Sequence, residues 1–411
     1  MSAVGARARS RGRLPGFAMP RSGRLAVVGS ALVGSRLLVL AAGALGALVL
    51  HKHDRAAATV ALQALGPVGN ALAGSVDRFD AAYYLSIAAH GYGTLSSGKV
   101  AFFPLYPLLI AFATPALGSA VLAGASISLL AFVGALVSLH RLTELELGRP
   151  AADATIGLLA FAPLSFFFSA VYTESLFLLV SVGSMLALRL GRWRLACLLG
   201  ALAAVTRSVG VLLFVVLVAA RIRDGHRDRT LAWALAIPGA LLAWLARVAV
   251  AGYPLLAPFA VGGQWDRVTA GPLTGAAAGA WDAIRALAAI ARGGAIYSPA
   301  LTGPFTAGAE AIVLFTVLVI SVAALVACAR RLPGRYTAYA ALTLAMVLSS
   351  PVATQPLESF DRYALTIFPL WMVAGAWLSR RSPRTRPALL GLSALCLGFY
   401  TAQFASWAFV A

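Results

Sequence analysis

Residues 195–220 read LACLLGALAAVTRSVGVLLFVVLVAA. The stretch is apolar enough for a bilayer, yet Arg189, Arg192 and Arg194 precede it and Arg221 and Arg223 follow it. Arginine blocks mark the cytoplasmic side of a membrane protein, so both ends of the stretch fall on one side. Each arm flanking Thr206-Arg207-Ser208 is only about 17 Å long as a helix. That is too short for a hydrocarbon core of roughly 30 Å. The pattern predicts two half-helices that meet within the membrane with Arg207 at the break. Broken backbone at that depth survives where it is buried in protein or lines a cavity, so Arg207 is expected to face a cavity. The alternative is a structural arginine, either snorkelling or paired with Glu174.

The rest of the chain supports the same setting. Its 411 residues are 60% hydrophobic and 11% charged, with a mean hydropathy of +0.86. A formal charge of +19 in a soluble protein would point to nucleic acid. Here, however, 22 of the 33 basic residues fall in the blocks 1–24, 140–149, 189–194, 221–229, 330–335 and 380–386, between apolar runs. That is the positive-inside pattern, and it argues against a nucleic-acid partner. Cys197, Cys328 and Cys396 sit in or beside apolar stretches without ligand spacing, so no disulfide framework, metal or cofactor is expected.

The expected fold is an all-α polytopic membrane protein of about nine full spans, at 25–50, 119–139, 153–171, 174–190, 230–250, 310–329, 336–352, 363–379 and 388–409. The half-helices at 195–220 and an outer interfacial helix join them. Residues 1–24 read as a basic cytoplasmic tail, because the apolar run after them is longer than a signal peptide's core. Residues 25–411 read as one membrane domain, with 51–118, 251–309 and 353–362 on the extracytoplasmic side. His51 and His53 flank Lys52 at the end of the first span and diverge at i and i+2 on a helix, so they read as a solvated boundary.

The first outer interval contains DRFDAAYYLSIAAHGYG, Asp77 to Gly93. A helix over 76–90 puts Asp77, Asp80 and Tyr84 on one face, and Gly91 and Gly93 stop it. A carboxylate held just above a membrane cavity suits a general base for a hydroxyl acceptor. Asp80 is the candidate, with Asp77 second and open to a helix-capping role. AFFPLYPLLIAF, from Ala101 to Phe112, reads as an irregular entry into a re-entrant or interfacial helix.

The segments RFDAAYYLSIAAHGYG, FFPLYPLL, SFFFSAVYTESLFLLVSVGSMLALRLGRWRLACLLGALAAVTRSVGVLL and SFDRYALTIFPL occur in that order. Together they resemble the PIG-V-like mannosyltransferases of the GT-C superfamily, and the Arg- and Ala-rich composition suits a bacterial member. The resemblance implies a GT-C-like bundle that takes mannose from a polyprenyl-phosphate carrier on the extracytoplasmic face. It places Asp80 on the acidic residue of the family's Trp-Asp motif, with Phe79 where Trp is usual. Tyr172-Thr173-Glu174-Ser175 and Thr206-Arg207 match as well.

The chemistry then requires a base for the acceptor hydroxyl and a cation for the departing phosphate. Asp80 is assigned the first role, in an inverting single displacement. Arg362 is assigned the phosphate and Arg207 the cavity. Arg78, Glu174, Tyr84, Tyr92, Tyr106 and Tyr172 complete the expected substrate-binding set. The expected partners are a polyprenyl-phosphate-linked sugar donor, the lipid bilayer, and a glycolipid, polysaccharide or protein hydroxyl acceptor at the plasma membrane. A transporter or lipid flippase is the competing reading, since broken helices and intramembrane charges also describe transporters. A non-catalytic scaffold, indifferent to loss of Asp80, is another.

Overall fold

In the computed structural model, the stretch 195–220 is a broken helix. One arm is Trp193–Ala204, the other Leu212–Arg223, and a 3-10 turn at Ser208–Val211 joins them. The β-branched pair Val205-Thr206 weakens the helix there, and Arg207 leaves it with extended backbone (φ −151°, ψ 146°). Gly210 folds back under the first arm. A Cβ at that position would lie 2.2 Å from the backbone of Ala203, so glycine is what permits the sharp return.

The structure describes residues 21–49, 69, 76–93, 97–297 and 305–410. The expected tail over 1–20, the His51-Lys52-His53 boundary and the first outer loop before residue 76, apart from residue 69, lie outside them. The helices are α1 (Arg21–Val49), α2 (Ala81–His90), α3 (Leu105–Leu117), α4 (Ala120–Leu147) and α5 (Arg149–Ala160), followed by α6 (Glu174–Arg189), α7 (Trp193–Ala204), α8 (Leu212–Arg223), α9 (Ala236–Val250) and α10 (Pro272–Ala291). The series ends with α11 (Ala307–Arg331), α12 (Gly334–Leu348), α13 (Phe360–Leu365), α14 (Phe368–Leu378) and α15 (Thr385–Ala405). Among the described residues the only β pairing is two isolated bridges, Arg267 with Val352 and Tyr297 with Phe305.

Five of the nine expected spans are helices long and apolar enough to cross a membrane, at Gly23–Val49, Ala120–Leu147, Arg229–Val250, Ala307–Arg331 and Thr385–Ala405. The other four are shorter. The span expected at 153–171 ends at Ala160, because Pro163 has no N–H to donate and pushes the residue before it out of the helical region. A 3-10 turn at Ser165–Phe168 follows. The span expected at 363–379 is split into α13 and α14, with Pro369 in the first turn of the second piece. Those at 174–190 and 336–352 form α6 and α12, of 16 and 15 residues.

The outer helix also starts later than expected. Asp77, Arg78 and Phe79 lie in a turn, and α2 begins only after Asp80. Phe79 adopts the left-handed conformation (φ 52°), and the expected common face for Asp77 and Asp80 is lost.

Packing joins the helices into one body with a largely continuous core of buried aromatic and aliphatic side chains. α4 packs against α5 and α6, α6 against α7, α14 against α5, and α1 against α15. Small residues allow these approaches. A Cβ on Gly46 of α1 would sit 2.3 Å from the carbonyl oxygen of Ala402 in α15. Arg36 lies deep within α1, more than two turns past Arg21 and Arg24 at its start. Its guanidinium donates to the carbonyls of Ala160 and Ser165 and to the hydroxyls of Ser35, Ser165 and Ser169. It also lies over the ring of Phe132.

Candidate active site

The start of α2, the hairpin before α6, the break between α7 and α8 and the α13 turn all open onto one cavity of about 1150 Å³. Each element delivers a charge. Asp80 arrives at the start of α2, where its side chain makes no capping bond and is free to face the cavity. Glu174 is the first residue of α6. Arg207 stands at the break and Arg362 is on α13.

These four side chains form a chain of alternating charge. Arg362 Nη1 donates to Asp80 Oδ2 at 2.8 Å, and its Nε lies 3.6 Å from Glu174 Oε1. Arg207 Nη1 donates to the same Glu174 oxygen at 2.8 Å. The bonding is incomplete. Glu174 Oε2 and Arg362 Nε have no hydrogen-bond partner among the described residues, although Glu174 is buried to 1% exposure. Tyr363 lies under the cations, with Arg207, Arg267 and Arg362 at 4.9, 5.7 and 5.6 Å from its ring centre.

Of the residues expected from sequence, Asp80, Tyr84, Tyr172, Glu174, Arg207 and Arg362 line the cavity. The other four do not. Asp77 and Arg78 are buried and pair with each other at 2.5 Å, and Arg78 also donates to the carbonyl of Ala405 and lies over Trp407. Burial pushes the Asp77 carboxyl up to about 6 despite the opposing charge of Arg78. The Tyr92 hydroxyl donates to the carbonyl of Phe102. The buried Tyr106 hydroxyl is bonded to the carbonyl of Gly124 and the hydroxyl of Ser128. Late initiation of α2 turns Asp77 and Arg78 inward, and the two tyrosines spend their hydroxyls on the scaffold.

The cavity also holds cations that the sequence reading passed over. Lys99 lines it, and its ammonium has no hydrogen-bond or ion-pair partner among the described residues. The available signal was its rarity: Lys52 and Lys99 are the only lysines in the chain. Arg267 donates to the backbone carbonyls of Ser350 and Glu358 and has no carboxylate within ion-pair distance among the described residues. Nothing in the pattern of the second outer interval marks it.

Two aromatic groups face each other across the Asp80 turn. Tyr83 stacks on Phe102 at 4.5 Å with Trp265 edge-on to both. On the other side, Phe79 meets Trp407 and Phe409 at 5.6 Å. Such surfaces suit the apolar faces of sugar rings. Behind Arg362, Asp361 accepts the Arg362 backbone N–H. Burial pushes its carboxyl up to about 7; that N–H opposes the rise, while Glu310 adds to it. No group of three or more His, Cys, Asp and Glu residues among those described is arranged to hold a metal ion.

Comparison with known proteins gives this geometry a context. Residues 31–229 match the family described as Mannosyltransferase (PIG-V). Over 196 residues the chain is 34% identical to GPI alpha-1,6-mannosyltransferase 2 of Mus musculus, a match covering 44% of this chain and 39% of that protein. Over 194 residues it is 33% identical to the Homo sapiens protein of the same name, with the same coverage. The chain thus spans about two fifths of the length of these curated relatives. Among solved structures it resembles ArnT from Cupriavidus metallidurans, crystallised with undecaprenyl phosphate. The TM-score is 0.51 at 14% identity, over 90% of this chain and 63% of that one, a likeness of fold. Over residues 31–229, just under half of its length, the chain is thus similar to the Mannosyltransferase (PIG-V) family, and over most of its length it shares the multi-pass helical fold of the ArnT structure.

Proposed function

We propose that this chain is a membrane glycosyltransferase that moves a hexose, mannose by family likeness, from a polyprenyl-phosphate donor to a hydroxyl acceptor. The observation that carries the reading is the placement of Asp80. Its carboxylate lies on the wall of a cavity large enough for two sugars, with one oxygen anchored by Arg362. Transfer is a single inverting displacement. The acceptor oxygen attacks the anomeric carbon, its proton passes to Asp80, and the bond from that carbon to the phosphate oxygen breaks. Arg362 orients the Asp80 carboxylate through its hydrogen bond.

The leaving phosphate needs a cation with free donors. Arg362 is already shared by Asp80 and Glu174, and Arg207 is paired with Glu174. We therefore assign the phosphate to Lys99 and Arg267, which have no carboxylate partner among the described residues. The lipid carrier is supported by the fold likeness to a protein crystallised with undecaprenyl phosphate. The arginine blocks support a cytoplasmic face opposite the cavity, and on this reading the site faces the extracytoplasmic side of the plasma membrane.

The test is transfer of radiolabelled mannose from polyprenyl-phosphate mannose to a crude lipid acceptor fraction, by membranes with matched expression. Asp80→Asn is expected to lower turnover by about 10²- to 10⁴-fold. Lys99→Ala should act chiefly on donor KM, by about tenfold. Equal transfer by wild type and Asp80→Asn would remove Asp80 as the base, and no transfer by either would remove the enzyme reading with this donor.

A further inference from the structure

Asp80 projects into the cavity from a turn that its own residue types do not favour. Phe79, immediately before it, is left-handed at φ 52°, a region that bulky side chains rarely adopt. Something must hold it there. The Tyr172 hydroxyl spans the residue: it accepts the N–H of Asp80 at 3.2 Å and donates to the carbonyl of Arg78 at 3.0 Å. One hydroxyl thus ties together the two peptide groups that flank Phe79. Its proton is committed, and the Tyr172 side chain is 2% exposed.

The ring of Phe79 is held from the other side. Phe404, Trp407 and Phe409 surround it at 5.5 to 5.6 Å, and Trp407 is itself left-handed at φ 66°. Arg78 fastens this segment to the turn through the carbonyl of Ala405 and the face of Trp407, 4.6 Å away. Residues 405–409 lie outside the matched family segment, yet they form the wall behind the base.

We infer that Tyr172 and Trp407 are positioning residues for the transfer, which hold Phe79 left-handed so that the Asp80 carboxylate points into the cavity. The inference rests on the reading of Asp80 as the base. It takes Tyr172 out of the set of sugar-binding hydroxyls, since its donor is spent on the backbone. Both residues act through Asp80 and need not touch substrate.

The experiment uses the full chain in lipid nanodiscs, with kcat and donor KM measured per folded molecule. Tyr172→Phe is expected to lower kcat by about 10- to 100-fold, the scale of a misplaced catalytic group, with donor KM within about twofold. Trp407→Ala should behave alike and Trp407→Phe should recover most of the loss. In an Asp80→Asn background, Tyr172→Phe should cost nothing further, because the group it positions is gone.

A raised KM with unchanged kcat would mean that Tyr172 binds substrate directly, and additive losses would mean that it acts independently of Asp80. Either result overturns the inference. Should Tyr172→Phe fail to fold, the two Trp407 variants carry the same comparison. If the wild type transfers no sugar, a structure of Tyr172→Phe still decides: Phe79 leaves the left-handed region if the inference holds and stays there if it does not.

Discussion

Two arginine sites in this molecule, one buried and one half-buried, solve the problem of charge in an apolar interior in opposite ways. Arg36 spends all five of its guanidinium N–H groups on two carbonyls and three hydroxyls, and is 8% exposed. It caps the end of α5 and the turn after it, where carbonyls lack helical partners. Arg362 faces two carboxylates, yet its Nε and an oxygen of Glu174 beside it have no hydrogen-bond partner among the described residues. The first site is complete without a ligand. The second is arranged around a cavity, as the proposed function requires of charges kept for chemistry.

That contrast breaks most visibly at Arg362. Arg362→Met leaves Asp80 and Glu174 without their shared cation, and turnover should fall by about 10²- to 10³-fold, measured as labelled transfer per folded molecule. If turnover is kept, the cavity site is structural and the contrast fails. Arg36→Met should do the reverse. With its acceptors stranded in the interior, stability drops by roughly 2–4 kcal/mol, read as thermal unfolding in detergent, while transfer per folded molecule changes less than about twofold.

The smallest expected effect sharpens the comparison. The Asp361 carboxyl, raised to about 7 by burial, favours its neutral form in the folded state. Its contribution to stability is therefore present at acid pH and lost as pH rises through about 7. Asp361→Asn should flatten the decline of thermal stability between about pH 3.8 and about pH 7. An unchanged profile would show that Asp361 does not govern it.

Much of this was readable from residue types. The break at Thr206-Arg207 followed from the length of its arms, and the convergence of Asp80, Glu174, Arg207 and Arg362 on one cavity agrees with charges stranded among apolar runs. The inward turn of Asp77 and Arg78 was hidden, because helical periodicity assumes a helix already running at residue 77. A left-handed Phe79 leaves no mark in composition. Tyr92 and Tyr106 look like sugar-binding hydroxyls until their bonds to Phe102, Gly124 and Ser128 are seen. Arg36 was absorbed into a span read as wholly apolar, and the pairing state of Lys99 depends on contacts that no spacing encodes. Pro163 is visible in the sequence, but the span expected at 153–171 took no account of it, and the helix ends at Ala160.

The close approach of Gly46 to Ala402 bears on how the protein is made. α1 is inserted early, but the surface against which it packs is synthesised about 350 residues later, tens of seconds at ~5–20 residues per second. During that interval one face of α1 must be covered by lipid or by insertion machinery. A side chain larger than hydrogen at Gly46 would then act on biogenesis, leaving a correctly inserted α1 unable to receive α15 at the final closure.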